Sequence, residues 1–232
     1  MQCSALALVQ SCVHLDSCCA AVEMQSIYGG RVSNRAYNPA ALQAHDPAWA
    51  PRAAGYLARA RAALGGLPGA GDALYDHIGS TSVPGLAAKP YVDLQIRILP
   101  LPTHDELGHR LTPLGFERAP GARPDSPGVD RDLPIGDEHV SAEVREKRLY
   151  VHREESAILH IRRADSPWGR YTVWFRDWLR AHPAERERYE NTKRKLSLKN
   201  AGKPDYDDYT RAKTVFVDDV QQEFAIWARD RG

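Results

Sequence analysis

The chain has 232 residues, 43% of them hydrophobic and 26% charged, and its 31 basic and 30 acidic side chains leave a formal net charge of +1. That length suffices for one large domain or one domain with a helical annex, and so even a balance excludes a global field that would draw the protein onto nucleic acid or a membrane surface. The longest early apolar run, Leu6 to Val13, is interrupted by Gln10, Ser11 and Cys12 and lacks the basic lead of a secretory signal, so a cytoplasmic protein without specific nucleic-acid binding is expected.

In chain order, Cys3, Cys12, Cys18 and Cys19 all fall in the first twenty residues. Such crowding suits neither a disulfide framework nor a zinc finger. Residues 1–37 are therefore expected to be a disordered N-terminal extension, with Met24 as an alternative start, and residues 38–232 the folded domain. Asp46-Pro47 predicts a helix start, with Asp46 as cap and Ala53, Leu57, Ala60 and Leu64 as the inward stripe. Leu74 to Ile78 reads as a strand. The loop Gly79-Ser80-Thr81-Ser82 follows. From Tyr91 to Ile98 the pattern alternates, setting Val92, Leu94, Ile96 and Ile98 on one face and Asp93, Gln95 and Arg97 on the other.

A helix is expected over His104 to Leu114, then an aperiodic stretch over 117–141 that suits a lid. Lys147 to Ala164 predicts a hairpin. Pairing Val151 with Leu159 keeps its apolar residues together and gathers Arg148, Tyr150, His152, His160 and Arg162 on the polar face. Three helices follow, the first striped by Tyr171, Trp174, Phe175, Trp178 and Leu179. Strands first and helices last predict an α+β fold with a mixed or antiparallel sheet flanked by helices and a C-terminal helical segment.

Three features point to phosphate chemistry. A strand running into Gly79-Ser80 exposes backbone amides, and the hydroxyls of Ser80, Thr81 and Ser82 stand beside them to hold phosphate oxygens. Asp93 lies on the polar face of the next strand, where a carboxylate binds divalent metal; a second carboxylate two residues on would sit about 6.5–7 Å away on the same face. That second place holds Gln95, a neutral and weaker ligand. Lys89 stands just ahead and can neutralise phosphate.

The run from His77 through Gly79-Ser80 and Lys89-Pro90 to Asp93 resembles the signature of the GrpB family. Asp46-Pro47-Ala48-Trp49, Leu159-His160-Ile161, Phe175 to Pro183 and Tyr209 to Lys213 resemble that family's other motifs, so the likeness spans about residues 40–230. It implies a nucleotidyltransferase-like fold for 38–232, sometimes joined to an enzyme of coenzyme A synthesis. Carried over, Gly79 and Ser80 take the Gly-Ser role and Asp93 that of first metal carboxylate, while His160 stands where a third carboxylate is expected.

The functional expectation is a nucleotidyl- or phosphoryl-group transferase acting on a small acceptor, with a nucleoside triphosphate donor and Mg²⁺ on Asp93. His160 would be the base, and Lys89, Arg148 and Arg162 would offset phosphate charge. The alternatives are a catalytically degenerate module that binds a nucleotide or phosphate ligand, or assists a partner, and metal-independent chemistry through His77, His160 and the arginines. Oligomeric state is left open.

Overall fold

The computed structural model describes residues 38–134 and 140–231. The expectations for residues 1–37, the cysteines and Met24 among them, lie outside the described residues.

Helix α1, Trp49–Leu64, starts later than expected. The Asp46 carboxylate accepts from the Ala48 N–H at 2.8 Å and its carbonyl from the Trp49 N–H at 3.1 Å, so Asp46 forms a turn ahead of the helix and Ala48 is the N-cap. Trp49, Ala53, Tyr56, Ala60 and Leu64 form the buried stripe. Burying one large apolar side chain of this kind contributes roughly 2 kcal/mol.

The sheet comprises β1 (Leu74–Ile78), β2 (Val92–Ile98), β3 (Glu117–Arg118), β4 (Lys147–His152) and β5 (Ala157–Arg163), in the order β1-β2-β5-β4-β3. Only β2 and β5 pair in parallel, so the sheet is mixed. On β2 the alternation holds: Val92, Leu94, Ile96 and Ile98 are at most 1% exposed and share a core with α1 and with α2, His104–Leu111. Helix α2 opens on a capping box between Thr103 and Glu106. It stops before the expected Leu114, because Pro113 lacks an N–H and the chain tightens into a 3-10 turn over Thr112–Leu114.

The hairpin register differs by one residue from expectation. Tyr150 pairs with Leu159 and Val151 with Ile158, in a ladder that sets Lys147 opposite Arg162 and Leu149 opposite His160. The reason is Tyr150, which is 2% exposed within the core and whose hydroxyl donates to the His104 carbonyl at 3.2 Å. Arg148 and His152 follow it to that face, and Lys147 joins His160 and Arg162 on the other.

The C-terminal helices are α3 (Pro167–Ala181), α4 (Pro183–Lys199) and α5 (Asp207–Arg229). They build a second core from Trp178, Leu179, Tyr189, Phe216, Val220 and Phe224, which also takes in Val83 and Leu86 from the loop after β1. Helix α3 lies close on the polar face of the sheet, where a Cβ at Gly169 would meet Cδ of Arg97 at 2.5 Å. Among the described residues no helix is long and apolar enough to cross a membrane. The fold is α+β, a five-stranded mixed sheet flanked by helices with a helical C-terminal segment.

Candidate functional site

Strand β1 ends at Ile78, directly opposite Asp93 on β2. The next residue, Gly79, has φ 69° and ψ −171°, a conformation that is essentially restricted to glycine. A Cβ there would collide with the Asp93 carboxylate, so that side chain rests on bare backbone. Helix α3 fastens the loop: Arg176 donates to the His77 carbonyl at 2.9 Å and Arg180 to the Ser82 carbonyl at 3.1 and 2.6 Å. Gly79→Ala is expected to cost about 2 kcal/mol or more and to displace Asp93. Urea unfolding checks this, and an unchanged midpoint would contradict it.

The loop hydroxyls do not all face a ligand. Thr81 and Ser82 are buried; Thr81 Oγ1 meets His77 Nε2 at 3.1 Å and Ser82 Oγ donates to the Gly79 carbonyl at 2.5 Å. Both therefore brace the turn. Of the expected phosphate-holding hydroxyls, only Ser80 has one outside this bracing among the described residues.

Asp93 keeps 30% of its side chain accessible. Its nearest charge partner is His160, with Nε2 at 3.9 Å from Oδ1, and among the described residues no donor closes to hydrogen-bond distance on the carboxylate. Burial pushes its pKa up, but His160, Lys213 and Lys89 outweigh that and hold it below the ordinary aspartate range, so it is ionised at neutral pH.

Lysines from three separate segments interact electrostatically with this carboxylate. Lys89 precedes β2 and sets its ammonium 3.4 Å above the Tyr206 ring and 5.5 Å from that of Tyr209. Lys193 on α4 lies 4.9 Å from the Tyr189 ring and donates to the Ala87 carbonyl. Lys213 on α5 lies 6.0 Å from the Tyr209 ring. Burial, then repulsion from Lys213, pushes Lys89 down to about 7, against the pull of Asp93 and Asp207. The same two causes bring Lys193 to about 7. Lys213 is raised instead, by Tyr189 first, against burial, with Tyr209 and Asp93 adding. Cations acting together on one carboxylate make a site for an anion.

Deeper on the same face, Gln95 is 0% exposed and fully engaged. Its oxygen accepts from Arg162 Nη1 at 2.8 Å and Thr172 Oγ1 at 2.9 Å, and its amide donates to the Gly169 carbonyl at 3.0 Å. Arg162 also grips Asp132, through Nε at 2.7 Å and Nη2 at 2.9 Å, and Lys147 donates to Asp132 at 3.1 Å. Asp132 comes from the segment expected to be a lid. That segment is instead pinned in its described part, at Asp132 and again at Arg123, which donates to Asp205 at 2.9 and 2.7 Å and to Asp208 at 3.1 Å.

This arrangement does not fit Mg²⁺. A divalent ion wants several oxygen ligands. Here Asp93 interacts with ammonium groups, and the oxygen of Gln95 is taken by a guanidinium and a threonine hydroxyl. Among the described residues no group of three or more His, Cys, Asp or Glu is arranged to hold a metal.

Nor does the geometry favour His160 as a base. Burial, then Lys147, lowers its pKa to about 4, so the ring is neutral. Lys147 Nζ lies 3.4 Å from Nδ1, which makes Nδ1 the acceptor and points the Nε2 proton at Asp93. Nδ1 is taken by Lys147, and Nε2 faces the Asp93 carboxylate at 3.9 Å, so His160 serves to position Asp93.

The structure thus brings Gly79, Ser80, Lys89, Asp93 and His160 to one place, with Gln95 and Arg162 beneath. Arg148 is corrected: it lies on the opposite face, 3.8 Å from Glu146, because Tyr150 fixes the register. Sequence reasoning missed Lys147, Lys193 and Lys213. A signal existed, since Tyr189-Lys193 and Tyr209-Lys213 repeat one tyrosine-to-lysine step along a helix, and Lys193 sits on the buried stripe with Tyr189 and Ser197.

Residues 39–223 match the family model described as GrpB protein. The chain is 31% identical over 207 residues to a dephospho-CoA kinase of Mycobacterium leprae, covering 84% of this chain and 49% of that one. It is 32% identical to a UPF0157 protein of Streptomyces coelicolor, covering 76% of this chain and 79% of that one. The solved GrpB protein of Enterococcus faecalis aligns with a TM-score of 0.58 at 24% identity, covering 79% of this chain and 96% of that one. The chain spans about half the length of the dephospho-CoA kinases it matches, as the 49% coverage shows. With the family model running through both β-strands that carry the site and into the last helix, this chain belongs to the GrpB family.

Proposed function

We propose that the chain binds a phosphorylated small molecule of the nucleotide class beside Asp93 and the Gly79-Ser80 turn, without a divalent ion. The observation that carries this reading is that Lys89 and Lys213, from separate segments, both approach the Tyr209 ring, at 5.5 and 6.0 Å, while burial and then repulsion from Lys213 bring Lys89, and likewise Lys193, to about 7. A protein keeps such repulsion where an anion relieves it. The name dephospho-CoA kinase carried by relatives of about 30% identity supports a nucleotide-type ligand.

Nucleotidyl transfer with Mg²⁺ is the second reading, favoured by Gly79 seating the Asp93 carboxylate at the mouth of β1 and β2. A thermal-shift screen of nucleoside phosphates and coenzyme A precursors, with Mg²⁺ and with EDTA, separates the two, because a ligand that binds only the folded state raises its melting temperature. Stabilisation that persists in EDTA supports metal-free binding. Stabilisation that requires Mg²⁺ supports the transferase reading and overturns ours, as does no stabilisation by any phosphate.

A further inference from the structure

The segment between β3 and β4 is held in two different ways. Its ends are bound to the sheet. The Ala119 N–H donates to the Leu149 carbonyl at 2.9 Å, the Asp132 N–H to the Arg145 carbonyl at 2.9 Å, and the Lys147 N–H to the Asp130 carbonyl at 3.0 Å. Its middle is held by charge. Arg123 donates to Asp205 and Asp208, Ser126 Oγ to Asp207 at 2.5 Å, and Arg211 on α5 to Asp125 at 2.9 Å. Arg211 and Asp125 are 41% and 74% exposed, and ion pairs of that kind are weak and screened by salt.

Apolar burial does not reinforce this hold, since none of residues 119–131 is buried. The arch is not filled either: a cavity of about 260 Å³ lies within it, lined by Pro120, Pro127, Val129, Leu133 and Arg211. A segment with exposed polar anchors and few core contacts belongs to the part of a fold that opens locally, well before the whole unfolds.

What the segment covers is Lys147. A Cβ on Gly128 would meet Lys147 Nζ at 3.2 Å, so backbone rests on that ammonium, and the side chain is 3% exposed. Lys147 is also the inner end of a row that leads to the site. Its Nζ lies 3.4 Å from His160 Nδ1, and His160 Nε2 lies 3.9 Å from Asp93.

We propose that residues 120–129 are a strap that opens about its sheet-bound ends, that Arg123 and Arg211 latch it shut on the α5 end of the fold, and that it masks Lys147 from the candidate site. Shut, the ammonium is an interior charge paired with Asp132. Open, it stands beside His160 and Asp93 as a further cation that solvent and ligand reach. This holds whichever ligand the site takes.

The test is amine footprinting of the full chain with acetic anhydride, read residue by residue by mass spectrometry. Lys193 is the internal reference, because it is 1% exposed and held by α4 against the Ala87 carbonyl. Arg123→Gln combined with Arg211→Gln is expected to raise the Lys147 rate about tenfold relative to Lys193, through the loss of two sets of ion pairs. An unchanged ratio overturns the proposal. So does a Lys147 rate that rises only together with that of Lys193, which reports global unfolding. If the double variant does not fold, the wild type decides alone. In about 1 M NaCl, where screening acts within about 3 Å, the same ratio is expected to rise about threefold, and a constant ratio overturns the strap.

Discussion

Asp132→Ala is expected to lower the stability of the domain by about 3–5 kcal/mol, the cost of stranding buried charge by removing one partner. Asp132 is 5% exposed and is the carboxylate against which both Arg162 and Lys147 are neutralised. Without it, Arg162 keeps one bond to Gln95, and Lys147, already pushed to about 8 by burial, faces Arg162 and His160 alone. Urea unfolding at pH 7 checks the value, and a loss under 1 kcal/mol would contradict the network.

The pH dependence follows from the same pair. Burial raises the Asp132 pKa, but Arg162 and then Lys147 overrule it and hold the carboxyl well below the ordinary range. A folded-state pKa below the unfolded one contributes stability that is present above about pH 4 and is lost as pH falls further. The gap between wild type and Asp132→Ala is therefore expected to narrow below about pH 4. Above that window both proteins lose stability together as pH falls from 6.5 towards 4, because His77 and His160, each held near 4 chiefly by burial, bind protons more readily in the unfolded chain.

Lys89→Met is expected to move stability and binding in opposite directions. Methionine keeps the apolar stem against Tyr206 and removes an ammonium that the folded state disfavours. The ligand-free domain is expected to gain roughly 2 kcal/mol at pH 7, after discounting for solvent screening and for the lost cation–π contact. Phosphate affinity is expected to fall about tenfold or more. Melting temperature and calorimetry read the two effects separately, and a variant that loses both stability and binding would make Lys89 a structural lysine.

For the wild type, a bound anion raises the lysine pKa values, so binding takes up protons. Affinity is expected to be highest below pH 7 and to decline as pH rises through about 7, where Lys89 and Lys193 discharge. Without ligand the sign reverses. The depressed lysines penalise the fold most below pH 7, and stability rises as pH climbs from 7 towards 10.5. Calorimetry in buffers of different ionisation enthalpy detects the proton uptake.

Much of this is legible in the sequence. The alternation of Val92 to Ile98 set Asp93 and Gln95 on the polar face because a strand has a period of two and one face is buried. Gly79, Ser80 and Asp93 announced the loop-and-strand frame. The hairpin register was not legible, because Tyr150 is amphipathic. Its ring belongs in the core and its hydroxyl needs a distant carbonyl, that of His104, which local pattern does not reveal. Asp132 was hidden in an aperiodic segment, where its partners 15 and 30 residues on are set by tertiary structure alone. Lys193 and Lys213 were hidden for a different reason. A helical lysine is solvated by default, and only the packing of α4 and α5 turns these two inward.

The most direct test of the central claim is a calorimetric titration of inorganic pyrophosphate into the full chain in EDTA, with Lys213→Gln as comparison. Lys213 contributes to the electrostatics of both other lysines and of Asp93, so its charge is the one to remove. Binding by the wild type without metal is expected, weakened about tenfold or more in Lys213→Gln. Binding that appears only when Mg²⁺ is added, or that Lys213→Gln leaves unchanged, would contradict it.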